Sequence, residues 1–411
     1  MRILYSLGIA LFRFFLVLLS PFNPKLNGMI DGRKNWKDKL TADIDPKVQY
    51  IWFHCSSLGE FEQGRPLIEA YKLSHPGKKI VLTFFSPSGY EIRKNYPGAD
   101  LILYLPFDTK SNVNFFLDTI KPEKAIFVKY DYWFWFLTGL KKRAVPTYLV
   151  SAIFRENQLF FKRYGGWYRN MLKQFTTIFV QTDDSVKLLE SIETENVIKA
   201  GDTRFDRVTS LPKSQFSDPL LETFAKDSKV VVCGSTWPPD EELISQYIRE
   251  EVKDRYVKFI IAPHEIHDKH IQQIQERLEG VPVCRYTDPG KVNVSESRVM
   301  IVDTIGKLSY IYRYGVLSYI GGGFGVGIHN TLEAAVYDLP VIFGPNYLKF
   351  NEACDLINLN AAFSIANYND LKLKLDQLLH DPERCKKTGK VAGNYVRENA
   401  GATQTILNRI K

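Results

Sequence analysis

A glutamate between an apolar run and a helical pattern is a candidate for acid–base chemistry. Glu60 ends the run Ser57-Leu58-Gly59-Glu60, which follows a predicted strand at 49–53 and precedes helical periodicity at 61–73. A carboxylate at such a turn could act as a general base that takes a proton from an attacking hydroxyl. It could also be an ordinary helix N-terminal acid that satisfies backbone N–H groups and the helix dipole. On the residue pattern alone, both interpretations stay open.

A glycine-rich run is the strongest candidate for phosphate binding. It begins at Gly321, follows a predicted strand and opens a predicted helix. The dinucleotide fingerprint GxGxxG fits no register, because its sixth position falls on Val326, Ile328 or Asn330. The run therefore predicts an anion loop of another type, in which Gly322 and Gly323 lie near a phosphate at a helix N-terminus.

A set of polar residues follows these glycines. The run His329-Asn330-Thr331-Leu332-Glu333 opens the predicted helix, and Glu333 lies one turn beyond Asn330 on the same face. A carboxylate in that position could accept hydrogen bonds from both hydroxyls of a ribose. Tight packing of the loop would explain the glycines but not this polar set.

Two other strand ends carry residues that could contact a nucleotide. Ser235 and Thr236 follow the predicted strand 229–232, where small residues let backbone N–H groups approach an anion, although turns favour these types anyway. Pro263 and His264 follow the predicted strand 258–262, and the histidine could pair with a phosphate or a base.

The histidines at 264, 267 and 270 do not predict a metal site. The pattern HExxH, started at His264, would need histidine where Asp268 stands. Spacings of three and six residues also turn these side chains off a single helix face. The spacing therefore favours no metal at these histidines, although a metal requirement stays open, and no cofactor is expected.

The elements that position these residues alternate along the chain. Short β-branched or aromatic runs are followed by helical patterns, and this alternation predicts parallel sheets with helices on both faces. The predicted strands form two series of seven, at 49–53, 80–85, 101–105, 124–128, 147–150, 177–180 and 197–199, and at 229–232, 258–262, 281–284, 298–302, 316–320, 340–343 and 363–365. The fold class is therefore α/β with two Rossmann-like parallel-sheet domains. Ligands of such sheets bind at the carboxyl ends of the strands, so we expect the chemistry in a cleft between the domains.

Length and composition agree with two domains and exclude other classes. The chain has 411 residues, of which 45% are hydrophobic, so neither a disordered chain nor a protein with many membrane spans is expected. Its formal net charge of +8 suits a partner that carries phosphates, such as an anionic lipid, a nucleotide or a nucleic acid. The five scattered cysteines indicate a reducing compartment rather than a disulfide framework.

The first residues predict a membrane anchor. Residues 3–19 are almost wholly apolar, are interrupted by Arg13, and lack a good signal-peptide cleavage site. Such a segment either spans marginally or lies in the membrane interface. The basic residues that follow would keep the rest of the chain on the cytoplasmic side; they are Lys25, Arg33, Lys34, Lys37 and Lys39. A buried core helix is the alternative.

The expected domain plan follows from these signals. Residues 1–24 form the anchor helix, 25–207 the first Rossmann-like domain, 208–228 a linker and 229–395 the second Rossmann-like domain. Two prolines and the lack of periodicity mark the linker. The C-terminal helix, 396–411, is expected to pack on the first domain.

Seven motifs in order resemble the Kdo transferases of lipopolysaccharide biosynthesis, glycosyltransferases of the GT-B class that transfer an eight-carbon acidic sugar. The similarity extends over nearly the whole chain, and its motifs are the runs 57–60, 86–91, 104–108, 201–206, 234–236, 303–308 and 329–333. It implies transfer of Kdo from CMP-Kdo to the 6-hydroxyl of a lipid A precursor, with inversion and release of CMP. It also implies an inner-membrane protein whose catalytic domains face the cytoplasm, with no nucleic-acid partner.

The resemblance also implies roles for individual residues. Glu60 would be the catalytic base, and Arg204 matches a basic position thought to stabilise the transition state. The residues expected to bind the CMP-sugar are Ser235, Thr236, Pro263, His264, Gly306, Lys307, Leu308, Gly322, Gly323, His329, Asn330, Thr331, Leu332 and Glu333.

This chain departs from the family pattern in two places. The family usually carries Glu-Thr-Glu-Leu-Trp where this chain has Lys129-Tyr130-Asp131-Tyr132-Trp133. Lys129 reverses the charge of the first glutamate and Asp131 preserves the second acid, so both are candidate catalytic residues. The usual Pro-Arg-His also appears as Pro263-His264-Glu265, without the arginine.

Residues 155–173 interleave basic and aromatic side chains. Such a pattern could bind single-stranded nucleic acid, but beside an anchor it favours the membrane surface and the phosphates of the acceptor. A solvated helix face is the third interpretation. Two other functions stay open, namely a different GT-B enzyme (a UDP-sugar transferase or an epimerase) and a non-enzymatic binding protein.

Overall fold

The computed structural model describes residues 1–254, 256–290 and 292–410. The chain divides into two units, of which the first contains Met1–Arg207 and Ala400–Lys411 and the second contains Val208–Asn399. Each unit contains one seven-stranded sheet, and all of the strand pairs are parallel. The predicted class, α/β with two Rossmann-like parallel sheets, is confirmed.

The sheet of the first unit has the strand order β3-β2-β1-β4-β5-β6-β7. Every residue of β1 is buried, as expected for a parallel strand that is covered by helices on both faces. The strands are β1 (Tyr50–Cys55), β2 (Lys79–Phe84), β3 (Leu101–Tyr104), β4 (Pro122–Val128), β5 (Thr147–Ala152), β6 (Thr177–Val180) and β7 (Val197–Lys199). The helices are α1 (Arg2–Leu19), α2 (Pro24–Asp31), α3 (Trp36–Asp43), α4 (Leu58–Ser74), α5 (Pro87–Arg93), α6 (Lys110–Ile120), α7 (Phe134–Lys142), α8 (Gly166–Leu172), α9 (Asp183–Glu190) and α10 (Thr203–Thr209), with the C-terminal helix Ala402–Leu407.

The sheet of the second unit has the order β10-β11-β9-β8-β12-β13-β14. Its strands are β8 (Lys229–Thr236), β9 (Val257–Pro263), β10 (Val283–Arg285), β11 (Val299–Ile301), β12 (Leu317–Ile320), β13 (Val341–Phe343) and β14 (Ala362–Ser364). Its helices are α11 (Pro219–Ala225), α12 (Pro238–Glu250), α13 (Asp268–Arg277), α14 (Leu308–Ile311), α15 (Leu332–Ala335), α16 (Asn351–Asn358), α17 (Tyr368–Leu379) and α18 (Pro382–Glu398); the C-terminal helix Ala402–Leu407 is α19.

Each of the fourteen predicted strands overlaps one observed strand. One boundary matters for the site, because β8 continues through Ser235 to Thr236 instead of ending at Val232. Ser235 has a φ of 53°, and the register with β9 shifts between Gly234 and Thr236. The predicted turn is therefore a bulge inside the strand.

The segment predicted as a linker, 208–228, is part of the second unit. It contains α11, which begins at Pro219 and is capped by Asp218. The Arg313 guanidinium donates hydrogen bonds to the carbonyls of Leu211 and Phe216, at 3.0 and 2.5 Å. These contacts fix the segment on the second unit, so the linker prediction is wrong for most of its length.

The last helix returns to the first unit. α18 ends at Glu398 within the second unit, and α19 then packs its buried Ile406 into the core beside α4. The carboxylate of Asp206 accepts hydrogen bonds from the N–H groups of Gly401 and Thr403, at 2.5 and 2.7 Å. The chain therefore passes between the units twice.

The N-terminal helix lies against the first unit along one face. The Tyr5 hydroxyl donates to the Asp108 carboxylate at 2.5 Å, and Leu16 is buried with Met29 and Phe107. Its other faces expose apolar side chains, namely Ile3, Leu4, Leu7, Leu11, Phe14, Phe15, Val17, Leu18 and Leu19. Arg2–Phe22 is the segment, within the described residues, that is long and apolar enough to cross a membrane.

Candidate active site

Glu60 lies in the first turn of α4, directly after β1. Ser57, in extended backbone conformation, precedes the helix, and its hydroxyl donates a hydrogen bond to Oε2 of Glu60. Among the described residues, no backbone N–H donates to this half-buried carboxylate, and its Oε1 accepts no hydrogen bond. The helix-capping interpretation is therefore weakened, and one carboxylate oxygen is available to a substrate.

A buried network lies beside Glu60. The Ser56 hydroxyl donates to Oδ1 of Asp131, while Oδ2 has no hydrogen-bond partner within the described part of the chain. Burial, assisted by the negative charge of Glu60, raises the pKa of Asp131 to about 8 against the opposing effect of the hydrogen bonds from Ser56. Asp131 is thus mainly protonated at neutral pH and is not in the ionised form that a general base needs.

His54 stays neutral although its Nε2 lies 3.5 Å from Oδ2 of Asp131. The Trp133 indole N–H donates to this Nε2 at 3.1 Å, so the proton of the imidazole is on Nδ1, which faces the Thr83 hydroxyl at 2.9 Å. Burial lowers the pKa of His54 to about 3. The short distance therefore does not mark an ion pair.

Lys129 and Arg204, the two predicted basic residues of this unit, lie at the ends of different strands. Lys129 follows β4 with a φ of 72°, and its ammonium lies 5.3 Å from the ring centroid of Tyr130. Arg204 follows β7, and its guanidinium contacts the buried Asp202 at 2.8 and 2.7 Å. The next residue back, Thr203, donates to the Gln63 carbonyl at 2.5 Å, which ties the helix of Arg204 to the helix of Glu60.

In the second unit, one buried carboxylate holds the glycine-rich loop. Asp240 accepts hydrogen bonds from the N–H groups of Trp237 and Gly322, both at 2.9 Å, and from the Tyr319 hydroxyl at 2.7 Å. Gly322 has a φ of 90°, and a Cβ on Gly323 would lie 2.6 Å from the backbone of Gly344. The glycines are thus required for close packing, which the sequence allowed as one of its interpretations.

Three aromatic rings meet at the ends of β8, β9 and β12. His264 stacks on Trp237 at 4.7 Å and on His329 at 4.5 Å between ring centroids. The Trp237 indole donates to Nε2 of His329 at 3.1 Å, so Nδ1 of His329 carries the proton. Burial and the neighbouring His264 lower the pKa of His329 to about 4, and its Nδ1–H donates to no described residue.

The polar set at the start of α15 is preorganised. The Asn330 amide donates to Oε1 of Glu333 at 3.1 Å, and its oxygen accepts from the Leu332 N–H at 3.0 Å. The Thr331 hydroxyl is buried and has no hydrogen-bond partner in the described ranges. The set that the sequence singled out is therefore assembled on one turn.

Lys307 is engaged with residues that the sequence did not single out. Its ammonium donates to the Tyr286 hydroxyl and lies 3.3 Å from the carboxylate of Asp218, to which Tyr286 also donates. Gly306 has a φ of 88°, and Leu308 begins α14. The side chain of Lys307 is thus partly neutralised in this structure.

Thr236 is anchored by a buried pair. Its hydroxyl donates to Glu241 at 3.0 Å, and the second oxygen of Glu241 lies 2.9 Å from Nε2 of His270. The other ring nitrogen of His270 contacts the Glu265 carbonyl at 2.8 Å. Sequence reasoning missed Glu241, although its position one turn into α12 is a signal for a side chain near the strand end.

The structure brings Glu265, His267 and His270 together, with ligand atoms within 4.8 Å. His267 lies at the N-cap of α13 and accepts the His270 N–H on Nδ1 at 3.2 Å. Because both nitrogens of His270 are already engaged, a metal would have to displace existing hydrogen bonds. His264 lies apart from this group, in the stack with Trp237.

Comparison with known proteins identifies the family. Residues 34–207 match the family described as "3-Deoxy-D-manno-octulosonic-acid transferase (kdotransferase)". The 3-deoxy-D-manno-octulosonic acid transferase of Aquifex aeolicus is 27% identical over 84% of this chain and 91% of its own length. The enzyme of the same name from Haemophilus influenzae is 23% identical over 97% of this chain and 94% of its own.

Solved structures agree on the fold. The UDP-GlcNAc 2-epimerase of Neisseria meningitidis, bound to UDP-GlcNAc, has a TM-score of 0.62 at 17% identity, with 88% of this chain and 99% of that chain covered. MurG of Acinetobacter baumannii has a TM-score of 0.52 at 10% identity, covering 88% and 98%. At these identities the likeness concerns the fold alone. By its family match and its named relatives, the chain belongs to the 3-deoxy-D-manno-octulosonic acid transferases, which are glycosyltransferases.

Proposed function

We propose that this protein transfers Kdo from CMP-Kdo to the 6-hydroxyl of a lipid A precursor in lipopolysaccharide biosynthesis. The observation that carries the mechanism is Glu60, a half-buried carboxylate with one oxygen oriented by Ser57 and the other unoccupied by any described residue. The family assignment supports CMP-Kdo as the donor, and the carboxylate of Glu60 is the proposed base.

The reaction is a single displacement. Glu60 takes the proton of the acceptor hydroxyl while that oxygen forms a bond to the anomeric carbon of Kdo. The bond from this carbon to the phosphate oxygen breaks at the same time, and its electron pair leaves with CMP. Attack on the face opposite the leaving group inverts the anomeric configuration.

The neutral form of Asp131 suits this chemistry. Two ionised carboxylates close together would repel each other, and a protonated Asp131 leaves Glu60 as the ionised member. Kdo itself carries a carboxylate, so a site with one negative charge repels the donor less than a site with two. Ser56 and Ser57, adjacent in the chain, hold the two carboxyl groups separately.

We assign donor binding to the second unit. The N–H groups of the glycine-rich loop, Nδ1–H of His329 and the Thr331 hydroxyl are fixed donors that would meet the charge developing on the leaving phosphate. Asn330 and Glu333 would bind the ribose, and His264 would contact the phosphate or the base. Arg204, held by Asp202, would stabilise the transition state from the first unit.

We also propose that the protein lies on the cytoplasmic face of the inner membrane, with α1 in the interface. Residues on several turns of α1 contact the first unit, so lipid cannot surround this helix on all sides. The exposed apolar faces of the helix suit insertion among acyl chains. Arg33 takes no part in binding lipid phosphates, because its buried guanidinium donates to the carbonyls of Leu105, Met29 and Phe85.

The test uses the purified full chain, freshly generated CMP-Kdo and a tetraacylated lipid A precursor, with products detected by mass spectrometry. Wild type is expected to add one or more Kdo units, and Glu60→Gln to lower kcat by about 100- to 10,000-fold. Glu62→Gln, on the same helix, is the matched control and should retain activity. Calorimetry with CMP and UDP separates this function from a UDP-sugar enzyme, and no transfer by folded wild type would refute it.

A further inference from the structure

An apolar groove on the first unit lies between α1, α8 and the segment that follows β4. It has a volume of about 490 Å³, within the range of small-ligand sites, about 300–1,000 Å³. Six of its lining residues are Tyr5, Tyr132, Leu159, Phe160, Trp167 and Met171. We propose that this groove binds an acyl chain of the lipid acceptor, an inference that rests on the proposed function.

One wall of the groove belongs to the N-terminal helix. The ring of Tyr5 packs on Phe134 and Trp167, at 5.4 and 5.7 Å between centroids, and its hydroxyl is fixed by Asp108. The same helix exposes apolar side chains such as Leu4 and Leu11 on its other faces. A lipid that contacts α1 therefore reaches the groove along a helix that is already apolar.

One residue that lines the groove has a buried hydroxyl without a hydrogen-bond partner in the part of the chain that the structure describes. Tyr132 packs its ring on Phe160 at 4.9 Å, and its buried hydroxyl has no hydrogen-bond partner among the described residues. Leaving such a group unpaired costs free energy, so a ligand that accepts a hydrogen bond is favoured. An acyl chain attached through an ester or an amide supplies a carbonyl oxygen for Tyr132 and methylene groups for the aromatic walls.

The charges around the groove fit an anionic amphiphile. Four basic side chains occur between residues 162 and 173, and none of them forms an ion pair within the described ranges; they are Lys162, Arg163, Arg169 and Lys173. Cations beside an apolar groove attract a lipid whose headgroup carries phosphates. The occupant we infer is the phosphorylated acceptor rather than a neutral lipid or a second copy of the chain.

The position of the groove connects it to the reaction. Tyr132 follows Asp131 directly. The Asp131 carboxylate accepts a hydrogen bond from the hydroxyl of Ser56, which lies four residues before Glu60 in the chain. An acyl chain in the groove would thus hold the acceptor sugar near the base. The groove should contribute to acceptor binding, and not to the chemical step itself.

The first experiment fills the groove. Leu159 is 42% exposed, so Leu159→Trp adds bulk with little risk to folding, and Leu373→Trp, at a 52% exposed site of the second unit, is the matched control. With full-length protein in detergent micelles, Leu159→Trp should raise the KM for the tetraacylated acceptor about tenfold. A second acceptor keeps the diphosphorylated disaccharide of the first but lacks its acyl chains. With this acceptor, the kcat/KM of Leu159→Trp should equal that of wild type. Equal effects on both acceptors, or no effect on either, would overturn the proposal.

A second experiment does not depend on turnover. A tetraacylated acceptor with a diazirine at the end of one acyl chain is photolysed with wild type, and the labelled peptides are mapped by mass spectrometry. We expect label within residues 157–171, lost on addition of unlabelled acceptor and reduced in Leu159→Trp. Label confined to α1, crosslinks between two copies, or equal labelling by phosphatidylglycerol with the same diazirine would each refute the proposal. If wild type transfers no Kdo, the proposed function fails and this labelling alone decides the groove.

Discussion

Glu60 and Asp131 are neighbouring carboxyl groups whose surroundings differ. Glu60 is half-buried and accepts one hydroxyl, whereas Asp131 is buried and its pKa is raised to about 8. Differences of this kind let two acids in one site take different protonation states. The roles of both residues stay predictions, and the pH dependence of stability offers a direct measurement.

Asp131→Asn should make the protein less sensitive to alkaline pH. The pKa is about 8 in the folded state, against about 4 for an unperturbed aspartate, so the folded state binds the proton more tightly. The stability from this group is therefore fully present below pH of about 4 and is lost as the pH rises through about 8. Between pH 6 and 9, the Tm of wild type should fall more steeply than that of Asp131→Asn. The exposed Asp184→Asn is the control, and parallel profiles for Asp131→Asn and wild type would contradict the assignment.

For single residues, the sequence indicated which side chains could take part in the site better than it indicated which groups they would contact. Lys307 was expected to bind the CMP-sugar, and Arg33 was counted among the basic residues that follow the anchor. In the structure Lys307 lies beside Asp218, and Arg33 is buried against three carbonyls. Their partners are distant in the sequence, and only the packed chain brings them together. The local set Asn330 to Glu333 could be predicted because it lies within one turn.

Among the elements, the glycine-rich loop depends on contacts that leave no room for a side chain. Gly323→Ala should lower the stability of the second unit by about 1–3 kcal/mol, because its Cβ would lie 2.6 Å from Gly344. In Gly325→Ala the nearest atom is 3.6 Å away, so its stability should stay close to that of wild type. Urea unfolding of the three proteins measures the difference. Equal losses would show that the loop adapts to added bulk.

The start of α12 holds that loop through Asp240. Asp240→Asn should weaken CMP binding about tenfold, because a carboxylate that accepts from two N–H groups and a hydroxyl becomes an amide with one acceptor. Glu242→Gln, on the exposed side of the same helix, should bind CMP as wild type does. Calorimetry compares the two variants. A wild-type affinity for Asp240→Asn would mean that the loop does not need this support.

The strands could be predicted from the sequence because parallel strands covered on both faces form apolar runs of typical length. The segment 208–228 was misjudged because Pro219 was treated as a breaker. Proline is favoured at the first position of a helix, where its missing N–H has no partner to lose, and Asp218 supplies the cap. The bulge at Ser235 could not be predicted, since a shift of register depends on the neighbouring strand.

For the molecule as a whole, α1 should contribute separately to membrane binding and to folding. The double variant Phe15→Ser/Leu18→Ser alters exposed side chains, so it should reduce sedimentation with phosphatidylethanolamine–phosphatidylglycerol vesicles and keep the wild-type Tm. Tyr5→Phe removes the hydroxyl bonded to Asp108, and it should lower Tm by about 2–4 °C without reducing vesicle binding. If neither variant changes vesicle binding or Tm, α1 has neither role.

The two passages of the chain between the units set an order of folding during synthesis. The second unit, Val208–Asn399, is a continuous segment and can complete its core as soon as it leaves the ribosome. The first unit lacks the buried Ile406 and Ile410 until residues 400–410 are translated, although most of its sequence emerges earlier. The unit that carries Glu60 is therefore finished last, and until then it exposes an unfilled core to chaperones and proteases.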